Sequence, residues 1–227
     1  MESKYISLRR LSTYTDNILR EIQLYVQQAI YGIIDGTIES MTNDKATYVR
    51  DYGFYKHQSL TSVDFSAATK IGDYSFYQCP SLSSVDIPLA EEIGAFAFRE
   101  CNSLVNISFS NVIAVGDGVF DECVNLSSVS FENLQEITSL MFRKCEALTT
   151  VNFPAVANIN TQAFYSSGIT SLTLSSNTVC TLESPDAFYF TPIEEGVGYI
   201  YVPSDLVDSY KAADGWSVYA NQIRAIE

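Results

Sequence analysis

Apolar and polar positions follow two different rhythms along this chain. Over residues 1 to about 36, Leu11, Tyr14, Ile18, Ile22, Tyr25 and Ala29 recur at three- and four-residue steps, and Leu19, Val26, Ile30 and Ile33 widen the stripe. That spacing predicts an amphipathic helix, with Ser7 or Ser12 as its cap and Gly32 and Gly36 as its stop. From Ile38 onward the rhythm is longer. Phe54, Phe76, Phe98, Phe120, Phe142 and Phe164 stand 22 residues apart, as do Cys79, Cys101, Cys123 and Cys145, and Leu60, Leu82, Leu104, Leu126 and Leu148. A fixed period in the twenties predicts a solenoid, because one such unit cannot bury its apolar side alone and must stack on copies of itself.

Each unit reads L-x-x-V-x-F, then five residues, then I-G-x-x-A-F-x-x-C-x-x-L. Val63 and Phe65 are two apart, the period of a strand, so both point inward while Ser62, Asp64 and Ser66 point out. The same columns run back to Ile38, Met41 and Asn43 and forward to Ile169, Leu172 and Leu174, the last set one residue early. Seven short strands are thereby predicted, side by side in one parallel sheet. Gly72, Gly94 and Gly116 follow the column Val49, Ile71, Ile93, Val115, Ile137, Ile159, and are expected where a positive φ or a close backbone approach is required. Thr138 and Asn160 take that place later.

After Leu174 the period fails. Residues 175–198 read as irregular, GYIYVP at 198–203 as a strand, and Ser204 as the N-cap of a helix through Leu206, Val207 and Tyr210 that Asp214 and Gly215 end. Trp216, Tyr219, Ile223 and Ile226 then supply apolar surface to close the stack. The expected architecture is an α/β solenoid of six to seven coils. A helical segment over 1–36 and a strand-helix segment over 176–227 flank repeats over 37–175. The first helix either covers the open apolar end of the first coil or associates with copies of itself.

The unit in KIGDYSFYQCPSLSSVDIP (70–88) and EIGAFAFRECNSLVNISF (92–109) resembles the BspA-type, or Treponema-type, leucine-rich repeat, and the resemblance covers residues 38–174. YIYVPSDLVDSYKAADGWSVYANQIRAI is similar to the C-terminal segment that often follows such repeats. The resemblance implies a right-handed leucine-rich-repeat solenoid with strands lining one face, in bacterial proteins often displayed at the cell surface and associated with adhesion or protein binding. The surface adhesins of that family usually carry a signal peptide and often a sorting region, whereas MESKYISLRR has no apolar stretch for secretion. The opening KYISLRRLSTYTDNIL is similar to the first residues of some tail-associated prophage proteins of gut bacteria, which offers another route to a cell exterior. A cytoplasmic location stays open alongside cell surface and phage particle.

Charge narrows the partners. Residues 1–50 hold six basic and six acidic side chains, so the whole net charge of −14 falls on residues 51–227, with seven basic against 21 acidic. An acidic surface repels phosphate backbones and anionic membranes, so nucleic acid and membrane insertion are not expected. No stretch approaches the ~18 apolar residues of a membrane helix.

Candidate chemistry is sparse. The cysteine column invites a metal or disulfide reading, but equivalent side chains on stacked coils run parallel, and zinc sites bring four ligands round one point. A ladder of buried reduced thiols is the expectation. His57, the single histidine, stands in that column one coil before Cys79; a thiol-imidazole pair is one reading and a packed histidine the other. No G-x-S-x-G, P-loop, G-x-G-x-x-G or H-E-x-x-H motif occurs, so neither catalysis nor a cofactor is expected. Asp64 and Asp86 share an outward column; they are either solvated acidic surface or, with further oxygen ligands, a Ca²⁺ site. Tyr52, Tyr55, Tyr74, Tyr77 and Phe96 either pack between coils or offer stacking surface to sugars or a protein. The binding surface expected is the outward strand face, made of Ser62, Asp64, Ser84, Asp86, Asn106, Ser108, Ser128, Ser130, Thr150 and Asn152, and taking a protein or glycan. The alternative is a spacer with no ligand of its own.

Overall fold

The structure, a computed structural model, describes residues 37–227. The helix expected over 1–36, with its capping or self-associating role, lies outside the described residues. The chain divides into Met1–Ile38 and Glu39–Glu227, and the second unit holds every described strand.

The 22-residue period becomes a stack of coils. An apolar residue alternating with serine, threonine, asparagine or aspartate gives the strands Ser40–Thr42, Ser62–Asp64, Ser84–Asp86, Asn106–Phe109, Ser128–Phe131, Thr150–Phe153 and Ser171–Leu174. Each meets its neighbour in parallel with like residues opposed: Met41 pairs Val63, which pairs Val85, and Phe109 pairs Phe131. Two further rungs, Tyr199–Val202 and Ile223–Ala225, extend the row past the point where the period fails. The expected single seven-strand sheet is thus a row of nine, with the hydrogen-bonded ladder interrupted after Ser84–Asp86 and after Ser128–Phe131. The isoleucine column forms a second row of two-residue parallel strands, from Tyr48–Val49 to Thr181–Leu182, which the sequence reading did not anticipate.

The described residues form a β-solenoid of about eight turns, in place of the α/β body of six to seven coils expected. The physical reason lies in the turns. Each coil carries two left-handed residues four apart: Tyr52 and Lys56, Tyr74 and Gln78, Phe96 and Glu100, Leu140 and Lys144, Gln162 and Ser166. Such residues break a right-handed helix at a cost of roughly 1–2 kcal/mol each. Alternate N–H groups along this arc leave the coil instead. Tyr52 donates to Asp73, Phe54 to Ser75 and Lys56 to Tyr77, at 2.7 to 2.9 Å, and the following coils repeat the pattern. The strained backbone is offset by bonds that a helix would have kept inside one coil.

The glycine column serves close approach. A Cβ on Gly94 would lie 2.4 Å from the backbone nitrogen of Asp73, and one on Gly116 2.4 Å from that of Ala95. Positive φ falls two residues later, at Tyr74, Phe96 and Gly118. Gly94→Ala is therefore expected to lower stability by about 1–3 kcal/mol through overpacking, read as a lower urea midpoint; an unchanged midpoint would refute the close-approach account.

Inside, the phenylalanine column stacks ring on ring, with centroids 5.3 Å apart for Phe54–Phe76 and Phe76–Phe98 and 5.8 Å for Phe120–Phe142. Phe188 extends it at 5.5 Å from Phe164, although it stands 24 residues on. Beyond the periodic region the expected helix is only partly met. Val207–Ala212 is a single six-residue helix, and Ser204 makes no capping side-chain bond. The far end is closed by aromatic groups. Trp216 Nε1 donates to the Cys180 carbonyl at 2.6 Å, Tyr210 accepts from the Cys180 N–H at 2.9 Å, and Tyr219 donates to the Pro185 carbonyl at 2.6 Å. All three side chains are buried. Among the described residues no helix is long and apolar enough to cross a membrane.

Candidate functional site

The outward strand face gathers the residues expected of it. Ser62 and Asp64 are half-buried; Ser84, Asp86, Asn106, Ser108, Ser128, Ser130, Thr150 and Asn152 are exposed. Register sets Ser62 beside Ser84, Asp64 beside Asp86, Asn106 beside Ser128, and Ser108 beside Ser130. Thr150 and Asn152 lie beside Ser171 and Thr173. The ladder interruptions mean that Asp86 and Ser108, and likewise Ser130 and Asn152, are neighbours by coil order without a direct strand pairing.

Hydroxyls one residue earlier in four of the coils are committed to the scaffold. Thr61 donates to the Glu39 carbonyl at 2.8 Å, Ser83 to Thr61 at 3.2 Å, Ser127 to Val105 at 3.3 Å and Thr170 to Thr149 at 3.0 Å. The side chains of Ser84, Ser108, Ser128, Ser130 and Thr150 make no hydrogen bond within the described residues. They form rows of uncommitted donors and acceptors spaced by the ~4.8 Å strand separation. Two neighbouring columns therefore have different physical roles, one holding coil to coil and one open to solvent.

Asp64 turns a carboxylate oxygen to the backbone N–H of Ser66 at 3.2 Å. Among the described residues no three His, Cys, Asp or Glu side chains converge to hold a metal ion. Sequence reasoning missed the end of this face. Tyr199, Tyr201 and Arg224 follow Ser171 and Thr173 in register. The signal was the strand alternation of YIYV, hidden by the broken 22-residue spacing.

The cysteine column has a scaffold role. Each thiol donates to the carbonyl of a phenylalanine in the preceding coil: Cys79 to Phe54 at 3.0 Å, Cys101 to Phe76 at 3.1 Å, Cys123 to Phe98 at 2.9 Å and Cys145 to Phe120 at 3.1 Å. All five cysteines are free and buried. Burial pushes Cys79, Cys123 and Cys180 up to about 12, and raises Cys101 and Cys145 well above their ordinary value. Thiols held this firmly in their neutral form are poor nucleophiles and poor metal ligands. His57 is buried at the head of the column, edge-on to Phe54 with ring centres 6.4 Å apart.

The turn edge carries the remaining candidates. Tyr52 stacks on Tyr74 at 5.0 Å, Tyr55 on Tyr77 at 5.0 Å, and Tyr74 on Phe96 at 5.3 Å. The rings pack between coils, the first of the two readings the sequence left open. Further along, Arg99 and Arg143 flank the buried carboxylate of Asp121.

A family model described as the BspA type leucine rich repeat region matches residues 35–90 and 69–194, in 6 copies. No curated protein matches the chain in sequence. Among solved structures, a leucine rich repeat protein of T. pallidum is 21% identical, with 61% of this chain and 72% of that chain covered and a TM-score of 0.49. A leucine rich cell surface protein from Faecalibacterium prausnitzii is 16% identical over 81% of this chain and 63% of its own, with a TM-score of 0.48. The pneumococcal vaccine antigen PcpA is 16% identical over 84% of this chain, with a TM-score of 0.50, and the chain spans 42% of its length. Likeness at such identities speaks for the fold alone.

Proposed function

The chain belongs to the BspA type leucine rich repeat family, and on that premise we propose that it is a non-catalytic recognition protein that binds a protein or glycan through its outward strand face. The family and fold are those of repeat binding proteins, not of enzymes. One observation carries the reading: exposed, uncommitted polar side chains repeat in register over the central coils, while in the column beside them Thr61, Ser83, Ser127 and Thr170 are taken up by coil-to-coil bonds. A surface of that kind makes specificity from many small contacts across a broad area. The net charge of −14 turns nucleic acid and anionic membranes away. The family resemblance favours a cell-surface setting, and the opening residues a phage particle as the alternative carrier.

The test is binding of the labelled full chain to intact bacterial and epithelial cells. Saturable binding is expected, and the double variant Ser108→Arg, Ser130→Arg should weaken it about tenfold or more, which is 1.4 kcal/mol. Both positions are exposed, so the circular dichroism and unfolding midpoint of that variant should stay close to those of the parent. Saturable binding that ignores the variant, or no saturable binding to any cell type, would leave the chain as a spacer.

A further inference from the structure

The outward strand face changes chemistry at one end. From Ser40 to Thr173 its positions are serine, threonine, asparagine and aspartate; the next rungs bring Tyr199, Tyr201 and Arg224. Thr173 lies beside Tyr201, Tyr201 beside Arg224, and Ser171 beside Tyr199. Tyr199 is 37% exposed. The Arg224 guanidinium carbon stands 4.8 Å from the centre of the Tyr199 ring, and its Nη1 donates to the Ile223 carbonyl at 2.9 Å. Stacking and that one bond hold the arginine in place, and no ion pair among the described residues occupies its remaining donors. Ser171, Thr173, Tyr201, Ile226 and Glu227 line a depression of about 390 Å³, within the ~300–1,000 Å³ of small-molecule sites, and Arg224 borders it as the strand neighbour of Tyr201.

We propose that this depression is a subsite for one neutral pyranose unit of a glycan, a proposal that rests on the strand face being the binding surface. Every sugar hydroxyl both donates and accepts, so a site for it needs both kinds of partner. Arg224 donates only, a carboxylate at Glu227 accepts only, and the hydroxyls of Ser171 and Thr173 do either. Tyr201 contributes a flat apolar ring against which the C–H face of a pyranose can lie. The net charge of −14 disfavours a carboxylate- or phosphate-bearing ligand. A protein partner is disfavoured for another reason. Protein interfaces centre on a broad desolvated patch rich in aromatic and apolar residues; here such residues are confined to the last two rungs, and the outward positions from Ser40 to Thr173 supply none. The uncommitted hydroxyls of Thr150, Ser130 and Ser128 continue from the subsite along the coil stack, where further units of the same glycan would lie.

The experiment is affinity electrophoresis of the full chain in native gels containing a soluble β-glucan, a mannan or a galactomannan, with pectin and alginate as acidic counterparts. Retardation by at least one neutral polysaccharide is expected, followed by calorimetric titration with the neutral hexasaccharide of the same backbone. Tyr201→Ala and Arg224→Ala should each weaken that titration about tenfold or more, while Tyr201→Phe, which keeps the ring, stays within about twofold. Tyr52→Ala, on the turn edge, should bind as the parent does. Retardation by acidic polysaccharides alone, or by none, overturns the proposal. Neutral-glycan binding that survives Tyr201→Ala and Arg224→Ala but is lost in Ser108→Arg, Ser130→Arg also overturns it, and leaves the strand-face reading standing.

Discussion

Asp121→Ala will cost the fold about 3–5 kcal/mol, the penalty for removing one partner of a buried ionic group. The Asp121 side chain is 0% exposed, and one oxygen accepts from Arg143 Nε at 2.7 Å while the other accepts from Arg143 Nη2 at 2.7 Å and lies 3.1 Å from Arg99 Nε. The two arginines belong to the coils before and after, so a single buried carboxylate bridges a pair of cations across three coils. Hydrogen bonding to Asp121 raises Arg143 above its already high ordinary value, and because arginine keeps its charge in proteins whatever its surroundings, removing the aspartate leaves cations without their buried partner. They are about one quarter exposed, and the remaining carboxylates of Glu100 and Glu122 compensate only in part. The measurement is urea unfolding of the full chain. A loss under about 1 kcal/mol would sink the claim. A second variant separates charge from packing: Arg99→Met, Asp121→Leu, Arg143→Met should recover most of the loss, because well-packed apolar groups often replace a buried ionic cluster without penalty. If the triple variant is as unstable as Asp121→Ala, the electrostatic account fails.

Alkaline unfolding is the second large effect. In the folded chain burial pushes Cys79, Cys123 and Cys180 up to about 12 and raises Cys101 and Cys145 well above their ordinary value, whereas in the unfolded chain thiols titrate near 9.0. Above pH 9 the folded state binds more protons than the unfolded one, so stability falls as pH rises. The contribution is fully present below pH 9 and is lost between about 9 and 12. Each thiol steepens the fall by up to about 1.4 kcal/mol per pH unit. Tyr210, raised to about 12 by burial, adds to it above its ordinary 10.0. Unfolding midpoints in urea measured from pH 7 to 11 should decline steeply above 9. Replacing Cys101 and Cys145 with alanine should flatten that decline while lowering the neutral-pH midpoint, since each loses a bond to the preceding coil. A midpoint constant to pH 11 would contradict the burial of the column.

Much of this architecture was legible before any coordinates. Phe76, Cys79 and Leu82 repeat at one interval with Phe98, Cys101 and Leu104, and equal intervals bring equal residues together only if the coils stack in register. The strand alternation placed Ser84 to Asn152 on one face for the same reason. Legibility ended where the interval did. Ile200 pairs with Leu172 across 28 residues and Leu182 with Ile159 across 23, so the last rungs, Phe188 in the ring stack and Tyr199, Tyr201 and Arg224 on the outward face escaped the periodic reading.

By itself the sequence determined the coil length, the inward columns and the polar outward face, because apolar side chains spaced alike must be buried alike. Only the tertiary structure decided which hydroxyls hold neighbouring coils and which stay open. It also decided that Tyr74 and Phe96 adopt left-handed backbone where glycine would be the local choice, that Asp121 is shared by two arginines, and that Arg224 lies over Tyr199. These outcomes depend on distances between coils of a few ångströms, and no local pattern of residues encodes a bond to a neighbour that arrives one turn later.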